Sequence, residues 1–164
     1  MSLSVTYDST VTVEETLTGN APFAVSAKKK VTHDQFDTSA TLNAGTTPPA
    51  TTFAAFQQAL TSGAATIDLT NVTGTNGATV NFTGLKLQLV KLRNPITNAN
   101  TITIAKGASS GYALGGSAFS ITLQPGEEWT YKGVDTSPDV GGSSKHLDLS
   151  GTAAQALDVY LVGG

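Results

Sequence analysis

Apolar residues return at every second position in one segment of this chain after another, and that period leaves few folds open. Leu85, Leu87 and Leu89, Ile102 and Ile104, Phe119, Ile121 and Leu123, and Leu157, Val159 and Leu161 each put their side chains on one face of an extended strand. Turn-forming residues recur about every 8 to 14 residues between them. A chain of 164 residues is the length of one domain and buries roughly 70% of the surface its unfolded form exposes. The pattern predicts an all-β fold: a single antiparallel β-sandwich or jelly-roll-like domain of about nine to eleven strands.

Along the chain, Val5 and Tyr7, then Val11 and Val13, flank an Asp8-Ser9 turn signal and predict an N-terminal β arm or hairpin over residues 1–18, with the sandwich spanning 19–164. Phe23, Val25 and Ala27 share a face of a strand continuing toward Val31, and Phe36, Ala40 and Leu42 mark another extended stretch. Pro48 and Pro49 then remove two ladder donors from the loop Asn43–Ala50. Residues 51–60 fit both periods and are read as strand, because the Ser62-Gly63 turn and the alternating Ala65, Ile67 and Leu69 follow. Asn71–Gly84 reads as a surface loop with a small hairpin, its Asn76-Gly77 suited to a type I′ turn. In the central strand that follows, Leu85, Leu87, Leu89, Lys91 and Arg93 face one way while Lys86, Gln88, Val90 and Leu92 face the other. Gln124-Pro125-Gly126-Glu127 suits a type II turn, after which Trp129 and Tyr131 lie on the returning strand.

Only 13% of residues are charged, about half the usual share, and threonine is the commonest residue. That excludes a coiled coil and a disordered polyelectrolyte. The net charge is −3 and the basic residues are scattered apart from Lys28, Lys29 and Lys30, so no footprint for nucleic acid exists. There is no cysteine, no apolar run long enough to insert into a membrane, and no export signal in the alternating Met1–Thr18.

Catalytic constellations are missing. His33 and Asp34 are strand neighbours on opposite faces, whereas His146 and Asp148 share a face as a solvated strand edge would. Glu14-Glu15 and Glu127-Glu128 are adjacent in sequence and cannot flank a cleft. Asp135 and Asp139 lack the Asp-x-Asp spacing of a calcium loop. The glycine-rich stretch Lys106–Gly116 is followed by a β pattern, where a phosphate cradle needs a helix. The chain therefore reads as non-enzymatic, with no catalytic residue, cofactor or metal. Two binding devices are left. Trp129, Tyr131 and Tyr112 are candidates for a platform that stacks surface glycans, set against the plainer role of filling the core. Val5, Tyr7, Val11 and Val13 are candidates for an assembly arm that adds strands to a neighbouring subunit.

Five segments, TPPATTF (47–53), GAATIDLT (63–70), NANTITIAKG (98–107), ITLQPGEEW (121–129) and LDVYLVGG (157–164), carry a resemblance over about residues 48–164. In them the chain resembles the small β-sandwich virion structural proteins of tailed bacteriophages and prophages. The resemblance implies a homo-oligomeric capsid, decoration, tail or fibre protein. Its partners would be copies of itself and other virion proteins, made in the host cytoplasm and localised to the virion. It supplies no functional residues to carry over.

Overall fold

The computed structural model describes residues 3–17, 29–33 and 37–164, which hold fourteen strands and no helix. Accordingly, no helix among them is long and apolar enough to cross a membrane. The chain divides into two compact units, Ser4–Leu42 and Asn43–Gly164, the second also taking in Leu3.

The N-terminal unit is built from two-stranded ribbons. Strand β1 (Ser4–Ser9) pairs with β4 (Thr38–Asn43), and β2 (Val13–Leu17) pairs antiparallel with β3 (Lys29–His33). The expected hairpin about Asp8-Ser9 does not form, because β1 pairs across to β4 and not back onto residues 11–13. But for Asn43 at the end of β4, both ribbons fall within the unit that ends at Leu42. Val5 and Tyr7 sit half-buried on alternate positions of β1, whereas Val11 and Val13 are 53% and 51% exposed. The expected strand at Phe23, Val25 and Ala27, the extended stretch at Phe36, and Lys28 and Asp34 lie outside the described residues.

The second unit carries the core. Its strands are β5 (Thr52–Ala59), β6 (Ala64–Asp68), β7 (Val72–Thr73), β8 (Thr79–Val80), β9 (Leu87–Arg93), β10 (Ile102–Lys106), β11 (Ser120–Leu123), β12 (Glu128–Lys132), β13 (His146–Ser150) and β14 (Ala156–Gly163). Eight of them form two four-stranded sheets, β11-β10-β13-β6 (sheet I) and β12-β9-β14-β5 (sheet II), antiparallel throughout. The pairing is nested: β5 with β14, β6 with β13, β9 with β12 and β10 with β11. That is a jelly roll, one long hairpin of strand pairs rolled into two sheets.

Alternation explains how the sheets close. Ile102 and Ile104, Leu147 and Leu149, and Ile67 point inward from sheet I; Leu157, Val159 and Leu161 with Val90 and Leu92 point inward from sheet II. All of them belong to one buried cluster, and each fully buried aliphatic side chain contributes about 1.5–3 kcal/mol of apolar transfer. Residues 51–60 are strand as read, held along eight residues by β14. Ser62-Gly63 closes the β5–β6 corner with paired bonds between Thr61 and Ala64, 2.9 and 3.1 Å long. Gly126, with φ 89°, and the Glu127 N–H to Gln124 carbonyl bond of 2.9 Å give the type II turn its expected form.

Two local expectations are corrected. A type I′ turn at Asn76-Gly77 needs positive φ at both residues, but only Gly77 has it (78°). Gly77 N–H bonds the Gly74 carbonyl and Gly74 N–H bonds Ala78, so the loop has three residues and closes on the left-handed glycine. In β9 the parity breaks at Gln88. Leu87 pairs with Gly163 and Leu89 with Val162, so one extra residue bulges between them. Leu87 is therefore buried together with Val90 and Leu92, while Leu89, Lys91 and Arg93 face outward.

Candidate functional site

Of the three aromatic residues singled out by the sequence, Tyr112 is buried, while Trp129 and Tyr131 are half-buried. Tyr112 is only 1% exposed. Its hydroxyl donates to the Pro138 carbonyl at 2.8 Å and accepts from Leu87 N–H at 3.3 Å. Burial, the dominant cause, pushes its pKa up to about 12. Trp129 and Tyr131 occupy the core-facing positions of edge strand β12 and pack against the buried cluster. Their rings stack with centroids 5.8 Å apart and planes 16° from parallel, and Phe119 lies 5.4 Å beyond Trp129. The pair packs against the core from partly exposed positions, and Tyr112 belongs to the core itself.

Of the sequence-predicted acid and histidine groups that are described, His33 and His146 each lie beside a different carboxylate. His33 Nε2 lies 3.7 Å from Glu15 across the β2–β3 ribbon. His146 is in register with Asp68, its Nε2 3.5 Å from that carboxylate and its Nδ1 2.8 Å from the Ser109 carbonyl. Gly107-Ala108-Ser109-Ser110-Gly111 has the spacing of a nucleophile elbow, yet it follows β10 without a helix, and both His146 nitrogens are occupied by groups other than a serine hydroxyl. Burial works against the charge on Asp68, but the Thr70 hydroxyl and amide and the Lys145 ammonium outweigh it and hold the carboxyl down to about 2. Asp148 accepts from Thr66 Oγ1 and Ala108 N–H, both at 2.8 Å. Asp139 is paired with Lys86. Among the described residues no three His, Asp or Glu side chains gather as metal ligands.

What the fold does assemble is a pair of unlike outer faces. On sheet I the outward positions run in register as Thr122, Thr103, Ser150 and Ala64, then Ser120, Ala105, Asp148 and Thr66. These side chains are short, and Thr103 and Thr122 close on each other at 2.8 Å. On sheet II one row is Glu128, Arg93, Asp158 and Gln57, and the next is Thr130, Lys91, Tyr160 and Ala55. Arg93 donates through Nε and Nη2 to one Asp158 oxygen at 2.9 and 2.6 Å, and Gln57 donates to the other at 3.0 Å. That carboxylate raises the Arg93 pKa above its ordinary value. Lys91 Nζ is 2.9 Å from Glu128. Tyr160, 43% exposed, stands among these pairs, and with Lys91, Arg93 and Glu128 it lines a cavity of about 250 Å³.

Tyr160 was legible: Leu157, Val159 and Leu161 inward put it outward. Its partners come from strand register, which no short motif records. No protein-family model, curated protein or solved structure matches the chain.

Proposed function

We propose that this is a non-enzymatic structural protein that assembles with copies of itself, as a component of a phage virion of the capsid, decoration, tail or fibre type. The observation that carries this reading is the N-terminal unit: two two-stranded ribbons, β1–β4 and β2–β3, in which, among the described residues, each strand has one ladder edge unpaired within its sheet. Isolated two-stranded sheets are marginal in water, and an open edge accepts a strand from another molecule through main-chain bonds alone. Val11 and Val13, half exposed beside those edges, supply apolar area for such a contact, and Val5 and Tyr7 complete the arm. The jelly-roll sandwich, an architecture used in viral shells among other roles, would be the body that the arm links. Low surface charge favours the same outcome, since 13% charged residues give weak repulsion between copies.

Light scattering of the purified full chain over a range of concentrations tests the reading. A discrete multimer is expected, and the double substitution Val11→Asp and Val13→Asp should shift it toward monomer with an unchanged circular dichroism spectrum. A monomer at every concentration would refute self-assembly, and a multimer indifferent to the double substitution would refute the arm.

A further inference from the structure

We infer that the outer face of sheet II carries a binding site for a neutral sugar ring, stacked on Tyr160 and hydrogen-bonded by Arg93, Lys91 and Glu128. The site does not depend on the assembly reading and lies on a different unit from the arm.

Four observations converge on this ligand. First, Tyr160 is the aromatic residue on the outward rows of β14, and its row neighbour on β5 is Ala55. The methyl group leaves one flank of the ring low, so a flat ligand with C–H groups on its face can approach. Second, the other residues lining the cavity are Lys91, Arg93 and Glu128. A guanidinium has five N–H donors and an ammonium three. Asp158 engages two groups of the first and Glu128 one of the second, so donors remain for hydroxyl oxygens, and the Glu128 carboxylate accepts from hydroxyl hydrogens. Paired donors and acceptors beside an apolar face match a ring that carries adjacent hydroxyls.

Third, the two cations are balanced by Glu128 and Asp158, so the site has no net charge with which to select a phosphate, a carboxylate or a cation. A neutral polyol fits it. Fourth, about 250 Å³ lies just below the range of roughly 300–1,000 Å³ common for drug-sized ligands, which leaves room for one ring of a glycan. The concavity disfavours the flat face of a second copy. The ion pairs already hold Arg93 and Lys91 in place, so binding freezes fewer rotamers than it would on an unpaired surface. Asp158, with a side chain only 15% exposed and a further bond from Gln57, anchors that arrangement from below.

The test uses the full chain and the methyl pyranosides of glucose, galactose, mannose and N-acetylglucosamine, observed by saturation-transfer NMR, with an array of neutral glycans as the second probe. At least one sugar should receive saturation from the protein. Tyr160→Ala should weaken binding at least about tenfold, Tyr160→Phe should retain it, and Arg93→Gln should weaken it several-fold, all with unchanged melting temperatures. Trp129→Phe, on the opposite side of its strand, should leave binding unchanged. Raising the salt from about 0.05 to 0.5 M should alter affinity little, because no net charge is neutralised. The proposal is overturned if no neutral sugar binds on either probe, if only anionic glycans bind, or if binding survives Tyr160→Ala. It is equally overturned if Tyr160→Ala changes the mass of the particle and leaves sugar binding intact, since the face would then join copies of the protein.

Discussion

The two units use the same alternation of apolar and polar residues and reach opposite outcomes. In the second unit, the inward residues of sheet I meet those of sheet II, so Leu161, Val159 and Ile104 lose all contact with water. In the N-terminal unit the ribbons β1–β4 and β2–β3 are two strands wide, and the valines at 11 and 13 stay half exposed. Period-two patterning therefore specifies a strand, but a second sheet is needed to turn the strand's apolar face into stability. Among the described residues of the N-terminal unit, Val11 and Val13 keep about half of their surface in contact with water.

The sharpest way to break this comparison is a matched truncation. Leu161→Ala removes a fully buried side chain from the sandwich and should cost about 2–5 kcal/mol in urea unfolding. Val13→Ala should cost less than about 0.5 kcal/mol in the unassembled chain. Equal losses would mean that the ribbon has a core of its own. Alkaline pH separates the units next. The Tyr112 pKa is raised from 10.0 to about 12, so its neutral form stabilises the fold fully below pH 10. Roughly 2–3 kcal/mol should be lost as the pH rises from about 10 to 12. Tyr112→Phe should cost about 1–3 kcal/mol at neutral pH, by stranding the Pro138 carbonyl and Leu87 N–H, and should flatten that alkaline loss. Titration by tyrosinate absorbance alongside unfolding curves checks both.

Acid gives the smallest effect. Asp68 is depressed from 3.8 to about 2, so its contribution is present above pH 4 and fades as the pH falls through 2. With a third of the side chain exposed, solvent screening limits it to no more than about 1 kcal/mol. Asp68→Asn should remove that acid-dependent part and leave proteolysis of the N-terminal ribbons untouched.

Much of the sandwich was written locally. The inward triplets, the Ser62-Gly63 corner and the Pro125-Gly126 turn each depend on neighbouring residues, and each formed as its chemistry requires. Apart from the Asn76-Gly77 loop, the departures are non-local. Nothing near Asp8-Ser9 indicates that β1 will take β4 as partner. The bulge at Gln88 is imposed by the pairing of Val162 and Gly163 with β9, so counting from Leu85 groups Leu87 with Leu89, Lys91 and Arg93, when it is buried together with Val90 and Leu92. Trp129 and Tyr131 were correctly placed together on one face, but which way that face points depends on Phe119 and the core. The charged cradle of Tyr160 draws on three strands, β9, β12 and β14, and exists only through their register.

Nested pairing also imposes a timetable on synthesis. Gln57 and Asp158, bonded across β5 and β14, are 101 positions apart, so β5 has no ladder partner until nearly the whole second unit has left the ribosome. Its ladder partner in sheet II is the last strand in sequence. Such long-range closure makes for slow folding, and it leaves Phe53 and Phe56 of β5 open to chance encounters in the interval. In a crowded cell, the yield of the finished protein should depend on how well that waiting strand is kept apart from others.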